Sequence, residues 1–359
     1  MLARTRPPLR PHWEHHVQEL FETIDDTHAR HTVVYSDARI GLRALLVIDD
    51  ATLGPAVGGV RTQPYPSLAH ALQDAAWLSR AMTDKCALAG LDAGGGKLVV
   101  VEHPDMNRDA VFDALGERLA DLRGAFWTGP DLGTTHDDLE RMARHTSHVH
   151  ADKEGVAESV ALGVLRSMQG ILDVDNRKTL DGLRVGVLGA GRVGTEVARL
   201  LKGHGVELLL ADVDDERARA VGTEVGATVM TPSALFDETL DVFCPCATGG
   251  VLSERRAQSM KVWAVCGGGN NLLANMKAAD ILDERGVWMV PDILSSAGGV
   301  IYGVGKDLMK LDDRTPLIDA LRTQSASVLQ EAKSRGSNTL IEARRRARER
   351  IQHRRDATD

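Results

Sequence analysis

The sequence predicts an α/β protein of two domains, the second built on a doubly wound parallel sheet. Three observations carry this. The chain has 359 residues, about two domains at roughly 150 residues each. Strand-like apolar runs alternate with helical patterns along most of it. From Leu183 onward the alternation becomes a regular βαβ pattern, in which a short buried-type strand leads straight into glycines and a helix.

Composition narrows the classes. Hydrophobic residues make up 43% and charged residues 26%, enough apolar surface to offset the entropy of ordering. No apolar run reaches the roughly 18 residues that span a bilayer, so a membrane protein is not expected. The start, MLARTRPPLRPHW, is basic but has no apolar core, unlike a secretory signal. Four cysteines fit a reducing cytoplasm better than a disulfide scaffold. A net charge of −8 and only 4% aromatics argue against nucleic acid as a partner.

The elements follow in order. Val17–Ile24 reads as a helix, Thr32–Tyr35 and Leu42–Ile48 as strands, and Gly54–Gly59 as a turn-rich segment. Leu68–Thr83 repeats its apolar positions at helical spacing. A glycine cluster, Gly90–Gly96, precedes the strand Leu98–Val101, then helix Asp109–Leu122 and strand Ala125–Thr128. Helix Ala157–Leu172 leads into strands at Leu183–Leu188, Glu207–Ala211, Asp241–Phe243, Val262–Val265 and Val287–Val290. The Arg-rich stretch Glu342–Arg355 reads as a solvated or oligomer-edge helix.

One motif carries chemistry directly. Strand Val185–Leu188 runs into Gly189-Ala190-Gly191-Arg192-Val193-Gly194 and then a helix. Glycine is needed three times: for the tight turn, for backbone approach to a pyrophosphate, and for helix–strand packing. The pyrophosphate would sit on the helix N-terminus, where unpaired N–H groups and the dipole favour anions. Asp212 ends the next strand, 23 residues after Gly189. A carboxylate there accepts from ribose hydroxyls and repels a 2′-phosphate, so NAD is favoured over NADP, with Arg217 nearby as the one opposing charge. Together these features predict a Rossmann dinucleotide-binding domain.

Two lysines stand out in the first half, Lys85 in MTDK and Lys97 in GGGK. A lone lysine is more often a surface charge than a catalyst. The glycines before Lys97 change that weighting, because they let a small substrate approach the backbone. Asp131, in WTGPDLGTT, stands at a strand end, where a lone Asp is usually a turn or cap residue.

Seven stretches in order resemble the glutamate/leucine/phenylalanine/valine dehydrogenase family, most of all its branched-chain and aromatic branch. They are Thr52–Arg61 (TLGPAVGGVR), Ala81–Val99 (AMTDKCALAGLDAGGGKLV), Pro130–Thr135 (PDLGTT), the glycine fingerprint, Cys244–Leu252 (CPCATGGVL), Cys266–Leu272 (CGGGNNL) and Val290–Ile301 (VPDILSSAGGVI).

This resemblance implies NAD-dependent, reversible oxidative deamination of an L-amino acid to its 2-oxo acid and ammonia. It implies Lys85 on the substrate carboxylate, Lys97 as the general base that activates water, and Asp131 as the proton carrier to and from the amino nitrogen. A lysine is a base near neutral pH only if its pKa falls from about 10.4, through a second cation (Lys85 is the expected one) and desolvation. Further cofactor contacts are implied at Cys246, Ala247 and Asn271, beside Gly189, Gly191, Arg192, Val193, Gly194 and Asp212. Substrate contacts are implied at Val57, Gly58, Met82, Gly129, Leu294 and Val300.

Val57 stands where glutamate-specific relatives carry a lysine, so an anionic side chain would lack its partner and an apolar substrate is expected. Gly129 adds room. Leucine, valine, isoleucine and phenylalanine all stay open, because a methylene discriminates by only about 1–3 kcal/mol. Two departures bear on rate or substrate choice: Val160 replaces the family's usual Thr, and Ser296 its Asn. A specialised oxo-acid supplier or a weakly catalytic NAD-binding sensor are the alternatives. The resemblance implies a homo-oligomer.

The expected division places 1–158 and the returning helices 334–359 in the catalytic domain and 159–333 in the Rossmann domain, with the substrate in the cleft between them. No metal is expected, since the spacing of His136, His145, His148 and His150 matches no closed zinc site. Cys244-Pro245-Cys246 is not a CxxC pair and reads as core packing.

Overall fold

The structure, a computed structural model, describes residues 21–151, 154–177, 179–247 and 249–357. Half of the expected helix Val17–Ile24 lies outside these residues; 21–25 is helical. The chain forms two compact units. One holds the described residues up to Thr83 together with Gly94–Ala151, and the other holds Asp84–Ala93 and the described residues from 154 on.

The first unit is a five-stranded mixed sheet ordered β1-β2-β4-β3-β5. Its strands are β1 (His31–Asp37), β2 (Leu42–Asp50), β3 (Ala56–Gln63), β4 (Gly94–Val101) and β5 (Phe126–Pro130). β2 pairs antiparallel with β1 and β4, whereas β3 pairs parallel with β4 and β5. Both faces are covered, so β2 is apolar at nearly every position. Leu42, Ala44, Leu46 and Ile48 join one core with Ala56, Val60, Leu98, Val100 and Phe126, under the helices Arg108–Asp121 and His136–Ala143. Leu45, Val47 and Val99 join a second core with Ala71, Leu72 and Ala75 of the helix Leu68–Leu88.

One expectation fails here. Gly54–Gly59 was read as a turn, but Ala56–Gln63 is the strand between β4 and β5. Its glycines answer to crowding rather than to turning. A Cβ on Gly58 would stand 1.7 Å from the Gly96 carbonyl oxygen, and one on Gly59 would stand 2.8 Å from the Asp131 Cβ. Likewise Gly94–Gly96 belong to β4, not to a loop before it. A Cβ on Gly95 would meet the Thr83 backbone nitrogen at 2.2 Å, and one on Gly96 the Phe126 ring at 2.8 Å. These glycines let helix and strands close on β4; they are not openings for a substrate.

The second unit is a six-stranded sheet ordered β11-β10-β9-β6-β7-β8, every pairing parallel. Its strands are β6 (Arg184–Leu188), β7 (Glu207–Ala211), β8 (Thr228–Val229), β9 (Thr239–Pro245), β10 (Lys261–Val265) and β11 (Trp288–Met289). Counted from β6, the order is 3-2-1-4-5-6, the Rossmann arrangement, whose strand order reverses between β6 and β9. All but the two-residue β8 coincide with expected strands.

The C-terminal helix Thr339–Asp356 groups with this second unit, not with the first as expected. The reason is local. Arg350 donates to the Cys86 and Ala87 carbonyls at 3.3 and 3.0 Å, Arg354 to Asp92 at 3.1 Å, and Arg344 pairs with Asp84 at 3.6 Å. This helix therefore clasps the end of the helix Leu68–Leu88 and the turn after it, which belong to the same unit. Among the described residues no helix is long and apolar enough to cross a membrane.

Candidate active site

Strand alternation assembles the site in the first unit. Ala56 and Val60 of β3, Leu98 of β4 and Phe126 of β5 point into one core. Side chains alternate along a strand, so Val57, Arg61, Lys97, Gly129 and, just past β5, Asp131 fall on the opposite face, the one covered by the helix Leu68–Leu88. There Lys97 Nζ donates to Asp131 at 2.6 Å, with only 6% of the Lys97 side chain exposed.

Arg61, the last residue of the TLGPAVGGVR stretch and not an expected site residue, is the third member of this group. Its Nε donates to the same Asp131 oxygen at 2.9 Å and its Nη1 to Asp74 at 3.2 Å. Tyr65 donates its hydroxyl to Asp74 at 2.6 Å. Reading β3 as a strand rather than a turn would have found it, two pleats from Val57.

Burial pushes the Lys97 ammonium below its ordinary pKa; Asp131 pulls it back up, and the Arg61 charge adds to the fall. Within the first unit, the cation acting on Lys97 is Arg61. Burial also pushes Asp131 upward, but Lys97 and Arg61 outweigh it and hold the carboxyl below its usual range.

Other expected substrate contacts in this unit are placed as follows. Val57 and Met82 are half-buried. Gly58 is closed off by the Gly96 carbonyl. Gly129 is not crowded, since a Cβ there would first meet His150 at 3.5 Å. His148 packs edge-on against Trp127, ring centroids 4.7 Å apart, and donates to or accepts from Thr146. His145 and His136 face Asp113 and Glu140.

In the second unit, Lys85 lies in the last turn of the helix Leu68–Leu88, which runs five residues past its expected end at Thr83. It donates to the Asn270 side-chain oxygen at 2.7 Å and to the Ser296 hydroxyl at 2.9 Å. Ser296 donates onward to the Asp292 carbonyl at 2.6 Å. Ser296, which stands where the family's usual residue is Asn, is thus a direct partner of Lys85. Asn270 holds Lys85, while the neighbouring Asn271, at φ +53°, donates its backbone N–H to the buried Asp292 carboxylate at 2.7 Å. Asn270 and Asp292 lie within the stretches CGGGNNL and VPDILSSAGGVI but were not among the expected site residues. Leu294 is fully buried and presents nothing to a ligand, unlike the half-buried Val300. Val160 is buried, and its methyls fill the space beside Gly268 and Gly299 where the family's usual Thr would carry a hydroxyl.

The three fingerprint glycines satisfy their separate requirements. Gly189, at φ +106°, lies against the Cys246 carbonyl and the Ala247 nitrogen; a Cβ on Gly194 would stand 1.9 Å from the Gly189 oxygen; a Cβ on Gly191 would meet nothing within 4 Å. The open space is thus at the one glycine past which a pyrophosphate must approach. Gly191 caps the helix Arg192–Lys202 with no side-chain hydrogen bond, leaving its first N–H groups for an anion. Beside it lies a cavity of ≈ 420 Å³ lined by Gly191, Arg192, Thr195, Glu196 and Arg217.

Asp212 accepts from the Ala190 N–H at 2.6 Å and the Asp214 N–H at 2.9 Å, with Arg217 at 3.5 Å. Oδ1 takes both Asp214 and Arg217, whereas Oδ2 holds only the Ala190 N–H, so Oδ2 keeps capacity for a ribose hydroxyl. Val193 is half-buried on the same helix. Cys246 donates its N–H to the Leu188 carbonyl, and its sulfur lies 3.9 Å from that of buried Cys244. These residues fit a nicotinamide dinucleotide.

Comparison with known proteins agrees. The family model described as "Glu/Leu/Phe/Val dehydrogenase, dimerisation domain" matches residues 30–148, and that described as "Glutamate/Leucine/Phenylalanine/Valine dehydrogenase" matches 207–304. An L-tryptophan dehydrogenase of Nostoc punctiforme is 33% identical over 92% of this chain and 96% of its own. A leucine dehydrogenase of Thermoactinomyces intermedius is 32% identical over 93% and 94%, and a phenylalanine dehydrogenase of Lysinibacillus sphaericus 34% over 78% of each. The crystal structure of the Nostoc punctiforme tryptophan dehydrogenase superposes with a TM-score of 0.83 at 31% identity, covering 94% of this chain and 99% of that one. With the ordered motifs and both folds in place, the chain belongs to the glutamate/leucine/phenylalanine/valine dehydrogenase family.

Proposed function

We propose that the chain catalyses the NAD-dependent, reversible oxidative deamination of an apolar L-amino acid. The observation that carries this is the buried Lys97–Asp131 pair at 2.6 Å, on a sheet face with no basic group at Val57. Lys85, steadied by Asn270 and Ser296, takes the substrate carboxylate. Neutral Lys97 removes a proton from the water that attacks the imine carbon. Asp131 exchanges a proton with the amino nitrogen. Gly191, the N-terminus of the helix Arg192–Lys202 and Asp212 would hold the dinucleotide, which when bound supplies the hydride acceptor. Asp212 supports NAD over NADP.

Gly129 favours an aromatic substrate within this class. A Cβ would be tolerated there, so the missing methyl is not demanded by the backbone and leaves room for a ring. The likeness to a tryptophan dehydrogenase and a phenylalanine dehydrogenase points the same way. The match to a dimerisation-domain model supports a homo-oligomer, and four unpaired cysteines support a reducing compartment such as the cytoplasm.

The test is NADH formation from L-tryptophan, L-phenylalanine, L-leucine, L-valine and L-glutamate, with Lys97→Ala beside the wild type. Turnover of apolar substrates but not glutamate, lost by at least 100-fold in the variant while NADH still binds, is expected. Turnover of glutamate alone, or an active variant, overturns the reading.

A further inference from the structure

The Lys97–Asp131 pair raises a difficulty that the neighbouring residues answer. A carboxylate 2.6 Å from a buried ammonium stabilises the ammonium, and an ammonium is no base. Something must draw on that carboxylate from the other side. Arg61 does so: its Nε reaches the same Asp131 oxygen, Oδ2, that Lys97 uses. Its other end is fixed, since Nη1 spans both oxygens of Asp74 at 3.3 and 3.2 Å, and Asp74 accepts from Tyr65. Only 16% of the Arg61 side chain is exposed, so its charge is little screened by water. Gly59 makes the approach possible, because any side chain there would collide with the Asp131 Cβ.

We propose that Arg61 is a positioning residue for the reaction: anchored by Asp74, it shares the Asp131 carboxylate with Lys97 and so keeps Lys97 able to shed its proton. The proposal rests on Lys97 being the base. The charged groups acting on Lys97 are Asp131 beyond β5, Arg61 on β3 and Asp74 on the helix Leu68–Leu88. Asp131 and Asp74 favour the charged lysine and Arg61 opposes them. Removing Arg61 and removing Asp74 must therefore move Lys97 in opposite directions.

The experiment is the pH profile of kcat/KM for deamination in wild type, Arg61→Met, Arg61→Lys and Asp74→Asn, with NADH binding by fluorescence as a check on folding. The acid limb reports loss of the neutral base. Arg61→Met is expected to shift it upward by about one pH unit, and Asp74→Asn to shift it downward. Arg61→Lys, which keeps a charge but not the fork, should lie between wild type and Arg61→Met. If Lys97→Ala is dead but the limb stays put in both Arg61→Met and Asp74→Asn, Arg61 has no such role and the base assignment survives. Limbs that move the same way in those two variants also overturn the proposal. A fully active Lys97→Ala overturns both readings together.

Discussion

Ser296 accepts a hydrogen bond from Lys85 at 2.9 Å, where the family's usual residue is an asparagine. The hydroxyl has one proton to give, with the Asp292 carbonyl at 2.6 Å and the Asn270 side-chain oxygen at 3.1 Å to take it, and its lone pairs serve the lysine. The ammonium is thereby held by two oxygens, those of Ser296 and Asn270.

Ser296→Ala should therefore loosen Lys85 without touching the dinucleotide. A hydrogen bond to a charged group is worth about 1.5–3 kcal/mol, which sets the expected rise in amino-acid KM at roughly 10-fold or more. Steady-state kinetics with varied substrate checks this, and NADH affinity should not change.

Gly129→Ala should fold normally, because the added methyl makes only ordinary contact with His150. We expect kcat/KM for L-tryptophan or L-phenylalanine to fall about 10-fold relative to L-valine. Equal losses on all substrates would remove Gly129 from the pocket wall.

Val57→Lys should raise turnover of L-glutamate relative to L-leucine, since it returns a cation to the face shared with Lys97 and Gly129. Competition between the two substrates reads this directly. An unchanged ratio would mean that Val57 does not meet the substrate side chain.

Asp212→Ala should narrow the preference for NAD over NADP. It also frees the Ala190 N–H in the fingerprint turn, so NADH itself should bind more weakly. Fluorescence titration with NADH and NADPH separates the two effects.

Asp138 gives a prediction about stability. It is buried, accepts from Arg108 Nε at 2.9 Å and from the Thr135 N–H at 2.7 Å, and closes a capping box on the helix His136–Ala143. Burial raises its pKa, but Arg108 and Thr135 outweigh this and lower it. With the folded value below the unfolded one, the carboxylate stabilises the fold above about pH 4, and that contribution is lost as pH falls through the folded value. Asp138→Asn should cost about 2 kcal/mol at pH 7, and the gap from wild type should narrow below pH 4. Calorimetry at both pH values checks it.

Much of the second unit was legible in the sequence because its strands are short, apolar after a polar first residue in β6, β7 and β10, and followed by glycines or helices. Leu183–Leu188 and Glu207–Ala211 fall almost residue for residue on β6 and β7. In the first unit β3 was hidden, since AVGGV carries two glycines that normally signal a turn. Here they relieve crowding against Gly96 and Asp131, a tertiary demand that no local pattern shows. The same misreading concealed Arg61, whose place beside Asp131 follows only once β3 and β5 are neighbours. Lys85, Lys97 and Asp131 were found through the motifs around them. Asn270 and Asp292 lie in matching stretches too, but an amide beside a second Asn and a carboxylate at a helix start show by type alone no sign of a partner.

The packed glycines also limit how this catalyst can change. Gly58, Gly59, Gly94, Gly95 and Gly96 each sit where even a methyl would strike backbone or a fixed side chain, so random substitution at any of them would break the sheet before it altered selectivity. Position 129 carries no such penalty, and position 57, half-buried, already bears a side chain. A laboratory search for new amino-acid substrates would find its productive variants there, and drift among natural descendants of this chain would follow the same two open doors.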